Sequence, residues 1–257
     1  MKKIVIERLA RFGLIAKGVV YILLGTLAFM AAFGLAGASA KEANQSNAFL
    51  ELKEKDGGTL LLAALVVGLL CYCAWRVIQS FSGENKKPVK RVRYFLSGLA
   101  YTSLAYSAFQ LLFYNKKGSD QQQQLTASFL SMPLGEAIVI AVAMILSVIG
   151  IYQVYYGLSE KYKKHARELN QREKISQLLL ASGKVGYLAR GVVWLIISYL
   201  LFTAALQHDA SRAGNTGAAL QFVEKSPLGS YFLGAIGLGL ATYGFFNFIR
   251  AKYENLS

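Results

Sequence analysis

The sequence predicts an all-α membrane protein in which six transmembrane helices form three similar two-helix repeats. Three observations predict this fold: six long apolar stretches, an alternating distribution of basic residues, and a motif that recurs along the chain. The chain has 257 residues, of which 54% are hydrophobic and only 16% are charged. In soluble domains about a quarter of all residues are charged. The lower charged fraction of this chain favours a protein that lies in a lipid bilayer.

Each apolar stretch is long enough to cross the hydrocarbon core of a bilayer as a helix, which takes about 20 residues. Transmembrane strands are shorter and alternate between apolar and polar residues, whereas these stretches are long and continuously apolar. The six predicted spans run from Gly18 to Ala36, Gly57 to Trp75, Tyr94 to Asn115, Ala137 to Ser159, Gly191 to Gln207 and Ser226 to Ile249.

The first span has an alternative interpretation as a cleaved signal peptide. Basic residues precede it, and Ala38, Ser39 and Ala40 resemble a signal-peptidase site. Two observations favour a membrane span instead. The apolar run is longer than the usual core of such a signal, and nearly the same run recurs at the fifth span, inside the chain.

The basic residues predict that both termini lie on the cytoplasmic side. The chain has a net charge of +14 and 28 basic residues. Of these, 21 lie near the termini or at the loops after the second and fourth spans, and the remaining 7 lie in the other three loops. Basic residues accumulate in cytoplasmic loops, so this split orients all six spans. No nucleic-acid-binding module is recognisable, and we expect no nucleic-acid partner.

A repeated motif divides the chain into repeats at residues 1–83, 88–159 and 175–257. Residues 11–21 recur at 184–194 and, with fewer identities, at 91–101. The even-numbered spans match as well, since Gly68, Tyr72 and Trp75 align with Gly239, Tyr243 and Phe246 and with Val148, Tyr152 and Tyr155. Every repeat crosses outward and returns, so the three share one orientation. Such repeats are related by an axis along the membrane normal, which predicts pseudo-threefold symmetry.

The outer connections also repeat. Pro133-Leu134-Gly135 matches Pro227-Leu228-Gly229. Proline suits the first turn of a helix, so we expect these prolines to begin spans four and six. Short outer helices are predicted just before the even-numbered spans, at Ser46 to Lys55, Leu125 to Ser131 and Ala218 to Lys225.

Small residues recur on single faces of the spans. In each odd-numbered span, a small residue follows the motif glycine by seven positions, about two helical turns, as Gly25 follows Gly18. In the sixth span one face carries Ser230, Gly234, Gly237, Ala241 and Gly244. Close packing through small residues is typical of membrane helices, so we interpret these faces as contact seams. A narrow pathway lined by them is the alternative.

Three basic residues lie about one turn inside the cytoplasmic boundary: Lys17, Arg76 and Arg190. An ionisable residue inside a membrane is a candidate functional residue, so these are possible contacts for an anionic lipid or ligand. The simpler interpretation is that each side chain extends to the lipid phosphates. Lys17 and Arg190 occupy the same repeat position, where the second repeat has Ser97, so a threefold ring of cations is incomplete.

Tyrosines recur at matching positions of the repeats. Tyr21 and Tyr101 are expected at a membrane interface, where tyrosine is enriched. A buried tyrosine needs a hydroxyl partner. Tyr72, Tyr152 and Tyr243 are therefore a possible polar layer between the repeats.

The residues that most catalytic or metal sites use are absent or far apart. His165 and His208 are predicted on opposite sides of the membrane, so they cannot share a metal. Cys71 and Cys73 point to different sides of one helix and are interpreted as inert apolar residues. No carboxylate lies in the middle of a span. We therefore expect no enzyme activity, no cofactor and no metal site.

The repeated motif resembles a known family. Its elements are a glycine, an alanine three positions later, a basic residue, Gly-Val-Val and an aromatic residue. Three copies with two helices each resemble the bacterial membrane proteins of domain-of-unknown-function family twelve-oh-six. The motif is complete in the first and third repeats and degraded in the second. The resemblance implies a bacterial plasma-membrane location and no particular activity.

Two functions stay open. Repeats around a membrane-normal axis are common in transporters, which weakly favours a small-solute conduit or transporter along that axis. The alternative is a non-catalytic membrane component that binds anionic lipid or a partner membrane protein. A continuous polar space along the axis would favour the first function, and a closely packed axis would favour the second.

Overall fold

Helices form nearly all of the chain that the structure describes. The computed structural model describes residues 2–81, 88–114, 121–159 and 173–254. In these residues the long helices are α1 (Lys2–Ala32), α3 (Gly58–Phe81), α4 (Pro88–Tyr114), α6 (Gly135–Leu158), α7 (Glu173–Leu206) and α9 (Gly229–Tyr253). Shorter helices between them are α2 (Gln45–Glu54), α5 (Gln121–Leu130) and α8 (Thr216–Glu224), with single 3-10 turns at Leu35–Gly37, Ala40–Glu42 and Ala210–Arg212.

Five of the long helices, α1, α3, α6, α7 and α9, are long and apolar enough to cross a membrane. The remaining long helix, α4, has 27 residues and is long enough as well. Its middle is more polar than that of the others because it carries Ser97, Ser103, Ser107 and Gln110. Five of the six predicted spans thus correspond to apolar helices of sufficient length, and the third corresponds to a more polar helix.

Several of the predicted loop residues lie outside the described part of the chain. These are the end of the third predicted span at Asn115, His165, and the basic residues Lys86, Lys87, Lys116, Lys117, Lys161, Lys163, Lys164, Arg167 and Arg172.

The short helices predicted before the even-numbered spans are confirmed as α2, α5 and α8, which end just before α3, α6 and α9. The side chain of Asn44 accepts a hydrogen bond from the backbone N–H of Asn47 and so caps α2, and Asn215 caps α8 in the same way. Such caps satisfy N–H groups that have no partner inside the helix.

The prolines do not begin α6 and α9, contrary to the sequence-based prediction. Pro133 and Pro227 lie two residues before the helices, and the residues that follow them, Leu134 and Leu228, adopt left-handed φ values of 64° and 59°. The helices start at the next residue, a glycine. A Cβ at Gly229 would lie 2.1 Å from the carbonyl oxygen of Glu224. The sharp turn from outer helix to span therefore requires glycine at its end.

The long helices pack in a partly closed ring. α1 packs against α3 and α9, α3 packs against α4, and α7 packs against α6 and α9. Contacts between different repeats (α1 with α9, α6 with α7, α3 with α4) are the most extensive. Within the first and third repeats, α1 also packs on α3 and α7 on α9. In the described residues, the two long helices of the second repeat, α4 and α6, lack a comparable contact.

The predicted seam of small residues on the sixth span is confirmed, because it packs against α1. A Cβ at Gly237 would lie 2.7 Å from the backbone nitrogen of Phe29, and a Cβ at Gly244 would lie 2.6 Å from the carbonyl oxygen of Gly18. On α1, a Cβ at Gly25 would lie 2.4 Å from the backbone nitrogen of Ala241. Contacts between backbones at these distances leave no room for a side chain.

We predict that Gly25→Ala destabilises the protein, while Gly98→Ala does not. At Gly98 the nearest atom to an added Cβ is 3.5 Å away, an ordinary contact distance, whereas at Gly25 backbone atoms would have to move. Overpacking typically costs about 1–3 kcal/mol, and both changes gain the same helix propensity. Thermal unfolding in neutral detergent measures the difference. Equal melting temperatures for the two variants would contradict the close α1–α9 contact.

Candidate functional site

Lys17 lies in the centre of the bundle with its charged group buried. The residue is only 4% exposed. Its Nζ donates a hydrogen bond to the Tyr72 hydroxyl at 3.3 Å. The same nitrogen lies 5.1 Å from the ring centroids of Tyr72 and Tyr101 and 5.2 Å from that of Tyr243. Three tyrosine rings on α3, α4 and α9 therefore surround one ammonium group at cation–π distance.

Arg76 shares the hydroxyl of Tyr72 with Lys17. Its Nε and Nη2 donate to that oxygen at 2.9 Å and 2.6 Å, and its Nη1 donates to Oε1 of Gln79 at 2.9 Å. The guanidinium group lies 4.5 Å from the ring centroid of Trp75. One buried phenolic oxygen thus accepts hydrogen bonds from two cations.

Arg190 repeats the arrangement of Lys17 in the third repeat. Its Nη1 donates to the Tyr243 hydroxyl at 2.5 Å, and its guanidinium carbon lies 4.9 Å from the ring centroid of Tyr21. In both repeats a basic residue on the first helix donates to a tyrosine on the second helix. Lys17, Arg76 and Arg190 together with Tyr72, Tyr101 and Tyr243 are called the cation cluster below.

Glycines in the motif allow these tyrosines to reach the centre. Gly13 precedes Lys17 by four positions, and a Cβ there would lie 2.6 Å from the Cα of Tyr72. Gly186 precedes Arg190 by four positions, and a Cβ there would lie 2.6 Å from the Cβ of Tyr243. Any larger residue at either position would displace the helix that carries the tyrosine.

The structure brings Tyr72 and Tyr243 to the cluster but leaves Tyr152 away from it. Tyr152 is 40% exposed, whereas Tyr72 and Tyr243 are 0% and 1% exposed. The ring of Tyr152 stacks on Tyr156, with centroids 5.8 Å apart. Counted from the helix starts at Gly58, Gly135 and Gly229, the position of Tyr72 and Tyr243 is occupied by Ile149 in the second repeat, and Tyr152 lies three residues later. The three predicted layer residues therefore do not share one environment.

Tyr101 belongs to the cluster and Tyr21 packs against its residues Arg190 and Tyr243, although the sequence analysis placed both tyrosines at a membrane interface. Both are buried. Burial results from their position four residues after Ser97 and Lys17, because residues four apart share one face of a helix. That spacing is the signal in the sequence that could have identified them.

The cluster carries three positive charges and no negative one among the described residues. No carboxylate there lies within ion-pair distance of Lys17, Arg76 or Arg190. Nearby, the buried Arg250 is paired with Glu254. Buried charges are normally paired in this way because an unpaired one costs several kcal/mol or more. Cation–π contacts offset about 2 kcal/mol when desolvated, which is only part of that cost.

Two polar groups of the cluster are buried without a hydrogen-bond partner: the Nε of Arg190 and the hydroxyl of Tyr101. Buried donors are normally satisfied. Together with the excess of positive charge, they suit an anion that offers several acceptor oxygens.

Glu136 and His208 lie together at one end of the helix bundle, with the His208 Nε2 3.2 Å from a Glu136 oxygen. The pair joins the start of α6 to the end of α7 and borders a shallow surface cavity. In the described residues no group of three His, Cys, Asp or Glu side chains could hold a metal ion.

Comparison with known proteins identifies the family. The model of a family described as Domain of Unknown Function (DUF1206) matches residues 12–83, 92–160 and 185–254. The chain belongs to this family. It is 28% identical to the uncharacterized protein YxxB of Bacillus subtilis (strain 168), over 98% of this chain and 92% of the relative. No solved structure matches the chain.

Within this DUF1206 chain, we predict that Tyr72→Phe is destabilising and that Tyr152→Phe has a much smaller effect. The first change removes the oxygen that accepts from Lys17 and Arg76, and hydrogen bonds to charged groups contribute about 1.5–3 kcal/mol. The second changes a tyrosine outside the cluster that is 40% exposed. Melting temperatures in neutral detergent measure both. A Tyr152→Phe effect as large as that of Tyr72→Phe would refute the assignment.

Proposed function

We propose that all six long helices cross the bacterial plasma membrane and that both ends of the chain lie in the cytoplasm. The unequal division of the basic residues supports this orientation. The packing order of the helices supports three related repeats around one axis. α4 fits this arrangement because its contact with α3 corresponds to the contacts of α1 with α9 and of α7 with α6.

We further propose that the protein is a non-catalytic membrane component that binds an anionic lipid headgroup at the cation cluster. The observation that carries this proposal is Lys17, a charge buried to 4% exposure with no carboxylate beside it among the described residues. A bound anion would supply the missing negative charge. The lipids of the surrounding bilayer are the most abundant source of such a group.

A phosphate fits the chemistry of the cluster. Arginine guanidinium groups present several N–H donors in a planar fork that matches phosphate oxygens, and the cluster contains two of them. The Nε of Arg190 and the hydroxyl of Tyr101 add donors that have no partner inside the protein. A neutral headgroup such as that of phosphatidylcholine carries its own positive charge, which three cations repel.

The centre of the bundle favours binding over conduction. Tyrosine rings and the Lys17 side chain fill the axis at the level of the cluster, and Tyr72 and Tyr243 are almost wholly buried. A conduit for small solutes needs a polar space along this axis. The shallow apolar cavity lined by Val192, Leu195, Ile196, Tyr199 and Phe222 lies away from it.

We predict that phosphatidylglycerol stabilises the protein and that Lys17→Met abolishes this effect. Saturating ligand adds about 2.7 kcal/mol at a hundred times its Kd, which corresponds to roughly 5 °C or more in melting temperature. Thermal unfolding in neutral detergent, with phosphatidylglycerol or phosphatidylcholine added, measures the difference. Without lipid, Lys17→Met should be at least as stable as the parent, because replacing a buried charge by an apolar side chain is often neutral or stabilising.

Two matched variants control this experiment. Lys252→Gln removes an exposed charge near the end of α9 and should leave the lipid effect intact. Arg190→Lys keeps the charge of the cluster but removes the Nε donor and the planar fork of the guanidinium group, so it should retain only part of the effect. Equal stabilisation of Lys17→Met and the parent by phosphatidylglycerol would refute the proposal.

The orientation has its own test. In a Cys71→Ala/Cys73→Ala background, cysteines introduced at Asp120 and Asn170 should react with a membrane-impermeant maleimide on opposite sides of the membrane. Intact cells should label the first position, and the second only after permeabilisation. Labelling of both from the same side would overturn the six-span topology.

A further inference from the structure

The second repeat leaves a space between its two long helices that the other repeats close. Around the bundle, each long helix packs on two neighbours, except that α4 and α6 lack a substantial contact with each other in the described residues. We call this space the second-repeat gap and define it by Leu96 on α4 and Val148, Tyr152 and Tyr155 on α6.

Substitutions at the matching positions explain the gap. In the first repeat, a Cβ at Gly68 would lie 2.5 Å from the Cβ of Ala16. In the third repeat, a Cβ at Gly239 would lie 2.4 Å from the Cβ of Ala189. Counted from the helix starts at Gly58, Gly135 and Gly229, the second repeat has Ile145 in place of the glycine, and it has Leu96 in place of the alanine. Larger side chains at both positions prevent the approach of the backbones that closes the other two repeats.

The faces that bound the gap are exposed, although their counterparts are buried. Val148 and Tyr155 are 65% and 51% exposed, and Tyr152 and Leu96 are each 40% exposed. Trp75 and Phe246, the counterparts of Tyr152, are 2% and 0% exposed, and Ala16, the counterpart of Leu96, is 5% exposed. These apolar and aromatic faces suit contact with acyl chains.

The gap lies at the depth of the cation cluster. Ser97 follows Leu96 and occupies the repeat position of Lys17 and Arg190, and it interacts with the Tyr72 hydroxyl. Counted from the helix starts, Val148 is one residue away from the position that matches Tyr72 and Tyr243, which is a difference of about 1.5 Å along the helix. A headgroup at Ser97 would thus lie beside the cations, and its acyl chains would extend past Val148 toward the middle of the membrane.

We infer that the second-repeat gap is the lateral access route and acyl-chain groove for an anionic phospholipid whose phosphate binds the cation cluster. Charge complementarity selects this occupant, since positive charge lies at the inner end of an apolar groove. The inference rests on the proposed lipid-binding function and adds the place from which the lipid approaches. The second repeat thereby acquires a role that its two counterparts do not have.

Site-specific photo-cross-linking tests the inference. Benzoylphenylalanine replaces either Val148 in the gap or Leu238, which is 54% exposed and lies on α9. Both proteins are reconstituted in phosphatidylcholine vesicles that contain a minority of phosphatidylglycerol. We expect cross-linked lipid at position 148 to be enriched in phosphatidylglycerol about fivefold over its share of the bilayer, the factor that one cation near an anionic lipid supplies. Position 238 should show no enrichment.

The outcomes separate this inference from the proposed function. Adding Lys17→Met should abolish the enrichment at position 148. Absence of enrichment in the parent, together with Lys17-dependent stabilisation by phosphatidylglycerol in detergent, would overturn the access route and leave lipid binding in place. Loss of both effects would refute both proposals. Cross-linking of position 148 to a second copy of the chain would overturn the inference in favour of a protein interface.

Discussion

The charge of Lys17 lies inside the bundle beside tyrosine rings instead of a carboxylate, and much of the structure serves to make that possible. The Tyr72 hydroxyl accepts from Lys17 and Arg76, and that of Tyr243 accepts from Arg190. Tyr72 and Tyr243 can each approach the centre of the bundle only because a glycine, Gly13 or Gly186, faces the tyrosine on the neighbouring helix. The repeated motif therefore specifies one arrangement of a cation, a tyrosine and a glycine, used twice around the same axis.

The second repeat lacks that arrangement, and the substitutions that distinguish it from the other two repeats have related effects. In the second repeat serine replaces the cation, and Arg93 and Leu96 replace the small residues. The loss of the cation removes the reason for a tyrosine at the centre, and the loss of the small residues removes its space. Ile149 accordingly occupies the helix position of Tyr72 and Tyr243, and α4 and α6 stay apart in the described residues. An anion bound at the centre would contact cations from the first and third repeats. On the side of the second repeat it would face the space between α4 and α6.

Much of the fold could be predicted from the sequence because its signals are local. Long apolar runs predicted the helices, and the spacing before Gly58 and Gly229 predicted the outer helices. The site was predicted less fully. The sequence comparison suggested that Tyr72, Tyr152 and Tyr243 are equivalent, but the helix starts at Gly58, Gly135 and Gly229 place Tyr152 three residues beyond the matching position. Reading Gly13 and Gly186 as the partners of the two buried tyrosines also requires knowing which helices touch. The burial of Tyr101 depends on the same three-dimensional information.

The most direct test of an anion at the cation cluster is a crystal structure of the protein grown from a lipid mesophase that contains phosphatidylglycerol. The account predicts a phosphate within hydrogen-bond distance of the Arg190 Nε and the Tyr101 hydroxyl, with acyl chains between α4 and α6. A carboxylate of the protein itself paired with Lys17, with no phosphate at the cluster, would contradict it.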